Sequence, residues 1–242
     1  SRPTGPVGPA TNRQLLAWAF YDWATSPFFA VIVTFVFAAY FTQAVAANEI
    51  EGTAQWGYAI ALSGLVIALA SPVVGAIADV GRRRKPWLAV FTGGSALAIA
   101  FLWLVEPDPS FVLLALVLVF LANTVLELGQ AFYNAMLADL ASPEELGRWS
   151  GWGWGLGYLA GIAALGLVLV VFIQPDPPPF GLDAASAENV RIVGPFIALW
   201  LVLFALPLFL FTSDTPARGI GLAASVRTGL GLLAATFRSL GQ

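Results

Sequence analysis

Six stretches of this chain are each long and apolar enough to cross a lipid bilayer, and that fact limits its fold more than any other. They run approximately over Leu15–Phe41, Trp56–Ala78, Pro86–Val105, Phe111–Leu140, Trp149–Ile173 and Ile192–Thr212. About 20 apolar residues in a helix cover the hydrocarbon core. In lipid a segment has to satisfy its own backbone N–H and C=O groups, so each stretch is expected to be a transmembrane α-helix. Only 10% of the 242 residues are charged, against roughly a quarter in a soluble domain. The expectation is an all-α membrane protein, with a six-helix bundle over residues 14–212.

The flanks differ in kind. Residues 1–13 are rich in Pro, Gly and polar groups and read as a disordered tail, without the apolar core and cleavage site of a signal peptide. Residues 213–242 read as a linker. Within it Leu222, Val226, Leu230, Leu233, Phe237 and Leu240 form one apolar stripe, with Arg227 and Arg238 beside it. That spacing suits a helix lying on a membrane surface, and equally one packed on a partner domain.

Basic residues orient the bundle. Of the 11 Lys and Arg, only Arg191 falls on the side opposite the N-terminus; Arg2, Arg13, Arg82, Arg83, Arg84, Lys85, Arg148, Arg218, Arg227 and Arg238 share the other. The positive-inside rule then predicts a multi-pass protein of an inner or plasma membrane with both termini cytosolic. The chain has no Cys and no His. Disulfides, thiolate or imidazole metal sites and the commonest general base are therefore excluded. Nothing calls for a cofactor, a metal or nucleic acid, and no enzyme nucleophile or base assembles.

Ionisable groups inside spans are costly and therefore candidates for function. Two qualify: Asp22 in the first span and Glu127 in the fourth. Asn123, Glu127, Gln130 and Asn134 recur at steps of four, three and four, which puts them on one helix face. Such a stripe faces a cavity or another helix, since lipid leaves the amides unsatisfied. Glu127 reads as a proton carrier or an anchor for a cationic substrate group, or else as a protonated carboxyl in a helix contact. Asp22 stands in Phe20-Tyr21-Asp22-Trp23, one turn before Ser26 and Pro27. It is either a second cavity carboxylate, flanked by Tyr21 and Ser26, or an acid paired with Arg13 or Arg148. Pro27 is expected to kink the helix and free the carbonyl of Trp23. The echo of Ala19-Phe20-Tyr21-Asp22 in Ala131-Phe132-Tyr133-Asn134 is set aside, because the two helices run in opposite directions.

The loop after the second span reads Gly75-Ala76-Ile77-Ala78-Asp79-Val80-Gly81-Arg82-Arg83-Arg84-Lys85-Pro86. It resembles the loop signature of the major facilitator superfamily, although Gly81 stands two residues after Asp79 where the family has three. Gly75 is expected to let two helices approach, Gly81 to allow a turn, and Asp79 to accept from arginines and helix-end amides. The resemblance implies a cytosolic gate loop of Gly75, Asp79, Gly81, Arg82 and Arg83. Ala19-Phe20-Tyr21-Asp22-Trp23-Ala24 resembles the branch related to the autophagy-linked vacuolar amino-acid exporter. So does Asn134-Ala135-Met136-Leu137-Ala138-Asp139, with Gly147-Arg148 and Gly155-Leu156-Gly157-Tyr158 after it. What this implies is the N-terminal half of a twelve-helix secondary transporter, built of two inverted three-helix repeats. Such a protein exports a small solute, amino acids among the candidates, by alternating access with proton coupling. A second six-helix half, on the same polypeptide or another chain, is the implied partner beside the bilayer.

Ser142-Pro143-Glu144-Glu145 reads as a capping box opening the fifth span. Gly153, Gly157 and Gly161 recur every four residues, a smooth ridge for close packing. Trp149, Trp152 and Trp154 read as an interfacial aromatic belt. The rival to a transporter is a membrane scaffold or assembly subunit that uses the glycine ridge and the amphipathic stretch. It requires the polar stripe to be buried in a helix contact, with no cavity beside Glu127.

Overall fold

The computed structural model describes residues 11–81 and 83–214, with the side chains of 79–82 left aside. Six membrane-crossing helices account for nearly all of it: α1 Asn12–Val45, α2 Glu49–Gly81, α3 Lys85–Leu104, α4 Pro109–Leu140, α5 Leu146–Ile173 and α6 Glu188–Phe211. Each covers its expected span and runs past it by a few residues at one end or both, except that α3 and α6 each stop one residue short at the C-terminal end. A helix has no reason to stop where its side chains turn polar. The amphipathic stretch around 222–240 lies outside the described residues.

Helix pairing follows an inverted repeat. Helix α1 packs on α5 and α6, while α4 packs on α2 and α3, and α3 against α6 closes the bundle. Exchanging the first three helices for the last three maps one set of contacts onto the other, as two inverted three-helix units require. The α3–α6 contact is close, because a Cβ at Gly194 would stand 2.7 Å from the carbonyl oxygen of Ile99. Helix α2 is the outlier, with Tyr58, Leu62, Leu65 and Leu69 all exposed.

Helix α1 is α-helical over Asn12–Pro27 and widens to a π-helix over Phe28–Phe35 and again over Phe41–Val45. Pro27 has no N–H for the carbonyl of Trp23, and the indole Nε1–H of Trp200 on α6 donates to that oxygen instead at 3.0 Å. In the wide stretch the carbonyl of Val33 accepts from Trp56 Nε1 at 3.1 Å. Tryptophans on neighbouring helices thus supply bonds that an irregular α1 needs in a lipid environment.

The two ends of the bundle are tied differently. At the end carrying the N-terminus of α1 and the C-terminus of α6, buried Arg84 pairs with Asp139 at 2.6 Å and donates to the carbonyls of Ala135 and Ala78. Its backbone N–H donates to Asp214 at 3.0 Å. Lys85 Nζ closes the last turn of α6 through the carbonyls of Phe209 and Thr212 at 2.7 and 2.8 Å, a cation on a helix C-terminus. At the opposite end, buried Arg191 donates to the carbonyl of Trp103 at 2.8 Å and lies 3.7 Å from Glu106. It thereby ties the first turn of α6 to the end of α3 and the α3–α4 turn. Asp108 accepts from the N–H of Ser110, and Asp183 from the N–H of Ala185 and the hydroxyl of Ser186. These bonds hold both carboxyls below the usual range.

Two local expectations are corrected, whereas Gly81 is the last residue of α2 and the reversal into α3 at Lys85 follows it directly. Gly75 approaches no helix, as no described atom lies within 4 Å of its Cβ position. The capping box does not form: α5 begins at Leu146, after a turn. Glu145 is turned instead to Arg148 at 2.5 Å, so the carboxylate that would have bonded back to Ser142 is engaged elsewhere.

Candidate functional site

The close contact of α1 with α5 is built on the glycine ridge. A Cβ at Gly153 would collide with the carboxylate of Asp22; at Gly157 it would sit 2.5 Å from Ser26 Oγ, and at Gly161 3.4 Å from Ala30 Cβ. Asp22, Ser26 and Ala30 are successive turns of α1, so three missing side chains on α5 admit one face of α1. Asp22 is thereby held between helices, and the hydroxyl of Tyr133 on α4 donates to its Oδ2 at 2.9 Å. Arg13 and Arg148 are engaged elsewhere, Arg13 over the ring of Phe211 at 4.0 Å and Arg148 on Glu145.

Around this point the two echoing motifs meet. Trp18 stacks on Tyr133 with ring centroids 4.4 Å apart and planes at 3°, and its Nε1–H donates to the carbonyl of Tyr133 at 2.9 Å. Tyr21 lies 4.9 Å from Tyr133 and shares a 2.7 Å hydrogen bond with Thr92 of α3. Opposite direction is therefore no reason to dismiss the echo, since helices related by an inverted repeat are antiparallel.

Beside Asp22 a cavity of about 720 Å³ opens between α1, α4 and α5. Helix α1 contributes Asp22, Ser26 and Phe29; α4 contributes Glu127, Gln130, Tyr133 and Asn134; α5 contributes Trp154, Gly157 and Tyr158. Among the described residues no Lys or Arg lines it. Asp22 has Tyr133 as donor, whereas Glu127 makes no hydrogen bond or ion pair among the described residues.

Glu127, Gln130, Asn134, Asp22 and Ser26 are thus brought to one cavity. Asn123 is not. It is buried and donates to Ser63 Oγ of α2 at 2.8 Å, and Ser63 in turn shares a 2.9 Å bond with Thr124. Tyr21 is buried behind Tyr133 and does not line this cavity. In the loop, Arg83 is exposed. Arg82 and the side chains of Asp79 and Gly81 lie outside the described residues. The tryptophans divide: Trp149 is buried, while Trp152 is exposed and Trp154 is turned to the cavity.

Comparison with known proteins agrees with this architecture. The family described as vacuole effluxer Atg22 like matches residues 41–242. The chain belongs to that family. Over 206 residues this Atg22-like chain is 29% identical to an uncharacterized MFS-type transporter, YxiO, of Bacillus subtilis (strain 168). The alignment covers 81% of the chain and 46% of YxiO, so the chain spans about half the length of the curated relative it matches. No solved structure matches it. The family and the relative are named as transporters, not enzymes. Within the Atg22-like chain, three contributors to the site went unassigned from sequence. Tyr133 stands out in the sequence only as part of a motif, and its place directly before Asn134 is the available signal. Trp154 reads as an interface residue and Tyr158 as a motif residue, although they are one helical turn apart.

Proposed function

We propose that this chain is one half of a secondary transporter that moves a small solute across a membrane by alternating access. The observation that carries the reading is the cavity between α1, α4 and α5, toward which the intramembrane carboxylates Asp22 and Glu127 both turn. Glu127, without a partner among the described residues, is the coupling or substrate carboxylate. An unpaired carboxylate in a span is costly unless a proton or a cation meets it. Gln130, Asn134 and Ser26 orient the solute, and Asp22 holds the α1–α4–α5 junction. Asn123 serves the α2–α4 contact and not the path.

The end of the bundle with Arg13, Arg83, Arg84, Lys85 and Arg148 faces the cytosol, as the positive-inside rule directs. Gly75, Asp79, Gly81, Arg82 and Arg83 latch that side. Small residues on α2, with open space beside Gly57, Gly64 and Gly75, suit the approach of a helix from a second six-helix half. The scaffold reading is disfavoured, because it has no use for a cavity beside Glu127.

Flux assays with the full-length protein in proteoliposomes test this. Glu127→Gln is expected to abolish pH-driven accumulation of solute. Unchanged rate and unchanged pH dependence would remove Glu127 from the mechanism.

A further inference from the structure

We propose that the α1–α4–α5 wall of this cavity is a seat for the ammonium group of a net-cationic organic amine. The inference rests on the reading of the cavity as the solute path and adds the chemical class of the solute. Asp22 and Glu127 are the charged side chains of the lining among the described residues, with no Lys or Arg of those residues beside them. Asp22 receives one donor, from Tyr133, and Glu127 receives none among the described residues. Two carboxylates offer several acceptor positions and negative charge, which a three-donor ammonium answers in both respects.

The rings beside them point the same way. Trp154 and Tyr158 line the cavity yet are 65% and 68% exposed, with centroids 6.0 Å apart. Exposed aromatic rings that line the same cavity as carboxylates can attract a cation that has shed part of its water. A proton would neutralise the carboxylates but has no use for the rings. A zwitterionic solute would bring a carboxylate for which the described residues of this wall supply no counter-charge. The volume of about 720 Å³ is that of a site for a compact organic molecule.

Equilibrium binding of radiolabelled phenethylamine to the full-length protein in nanodiscs tests the proposal, with phenethyl alcohol and phenylalanine as competitors. Saturable phenethylamine binding is expected, weakened about tenfold in both Glu127→Gln and Trp154→Ala, with neither competitor displacing it at equal concentration. The two variants report separately on the charge and the ring, so one that misfolds, as seen in its melting curve, leaves the other decisive. Equal competition by the alcohol would reduce the site to an apolar pocket, and equal competition by phenylalanine would make it zwitterionic. Either result overturns the inference, as does phenethylamine binding that both folded variants retain. Proton-coupled flux that depends on Glu127 without any amine binding would sink this inference and leave the transport reading standing. Amine binding without flux would do the reverse.

Discussion

The hydroxyl of Tyr133 donates to Oδ2 of Asp22 at 2.9 Å, directly across the gap left by the missing side chain of Gly153. Three helices therefore meet at one carboxylate: α1 supplies it, α4 bonds it and α5 makes room for it. This junction forms one wall of the cavity that Glu127 enters from α4, so any tilt of α5 against α1 is felt at the carboxylate.

Tyr133→Phe removes the donor and leaves the stack on Trp18 in place. The expected loss is about 1 kcal/mol, as for a hydrogen bond within a membrane bundle, read from reversible unfolding in mixed micelles. Asp22→Leu alone should cost at least as much, but Tyr133→Phe added to it should cost little more. Additive losses would mean that the bond does not couple the two residues.

Gly153→Ala is expected to destabilise the bundle by about 1–3 kcal/mol, because the new methyl meets a carboxylate fixed by Tyr133 and overpacking is not relieved cheaply. Gly157→Ala should behave similarly through Ser26. Gly155→Ala is the control, since no described atom stands within 4 Å of its Cβ position, and a gain from better helix propensity would be no surprise there. If the three variants melted alike, the ridge would not be the packing surface.

The six spans were legible because a bilayer forces long apolar helices, and the glycine ridge because a period of four survives in any helical context. The facing of side chains was less legible. Asn123, Glu127, Gln130 and Asn134 share a face by spacing, yet a helix of 32 residues crosses different neighbours along its length. Asn123 meets Ser63 on α2, while the other three meet a cavity. Nor does spacing within one segment say which of several adjacent arginines turns inward. Arg84 is buried against Asp139, and Arg83 beside it is exposed.

That contrast is measurable. Arg84→Ala removes the guanidinium bonds to the carbonyls of Ala135 and Ala78 and the Arg84–Asp139 contact, and is expected to cost about 2–4 kcal/mol, discounted because Asp139 is 40% exposed. Arg83→Ala should stay within about 0.5 kcal/mol of the unmutated protein. Thermal melting of both variants side by side decides the matter, and equal effects would mean that the burial of Arg84 is of no consequence.

Since the 242 residues contain no cysteine, single cysteines report solvent access without a background. Gln130→Cys and Asn134→Cys should react readily with a membrane-impermeant thiol reagent added from the side to which the cavity opens. Asn123→Cys, held against Ser63, should stay protected until the protein unfolds. Rapid labelling at 123, or protection at 130, would place the polar face of α4 differently from its position here.

Pro27 and Trp200 allow the sharpest test of how α1 is stabilised. Trp200→Phe keeps the aromatic contacts with Trp23 and Phe204 in kind but strands the Trp23 carbonyl that Pro27 cannot serve. A loss of about 1 kcal/mol is expected from the missing bond, with packing changes superimposed. In a Pro27→Ala background the new N–H at position 27 reaches that carbonyl as an ordinary helical donor. The cost of Trp200→Phe should then shrink by most of the hydrogen-bond part, leaving the packing part visible in the double-mutant cycle. If the cost is the same in both backgrounds, the indole bond to Trp23 does not stand in for the one that proline removed.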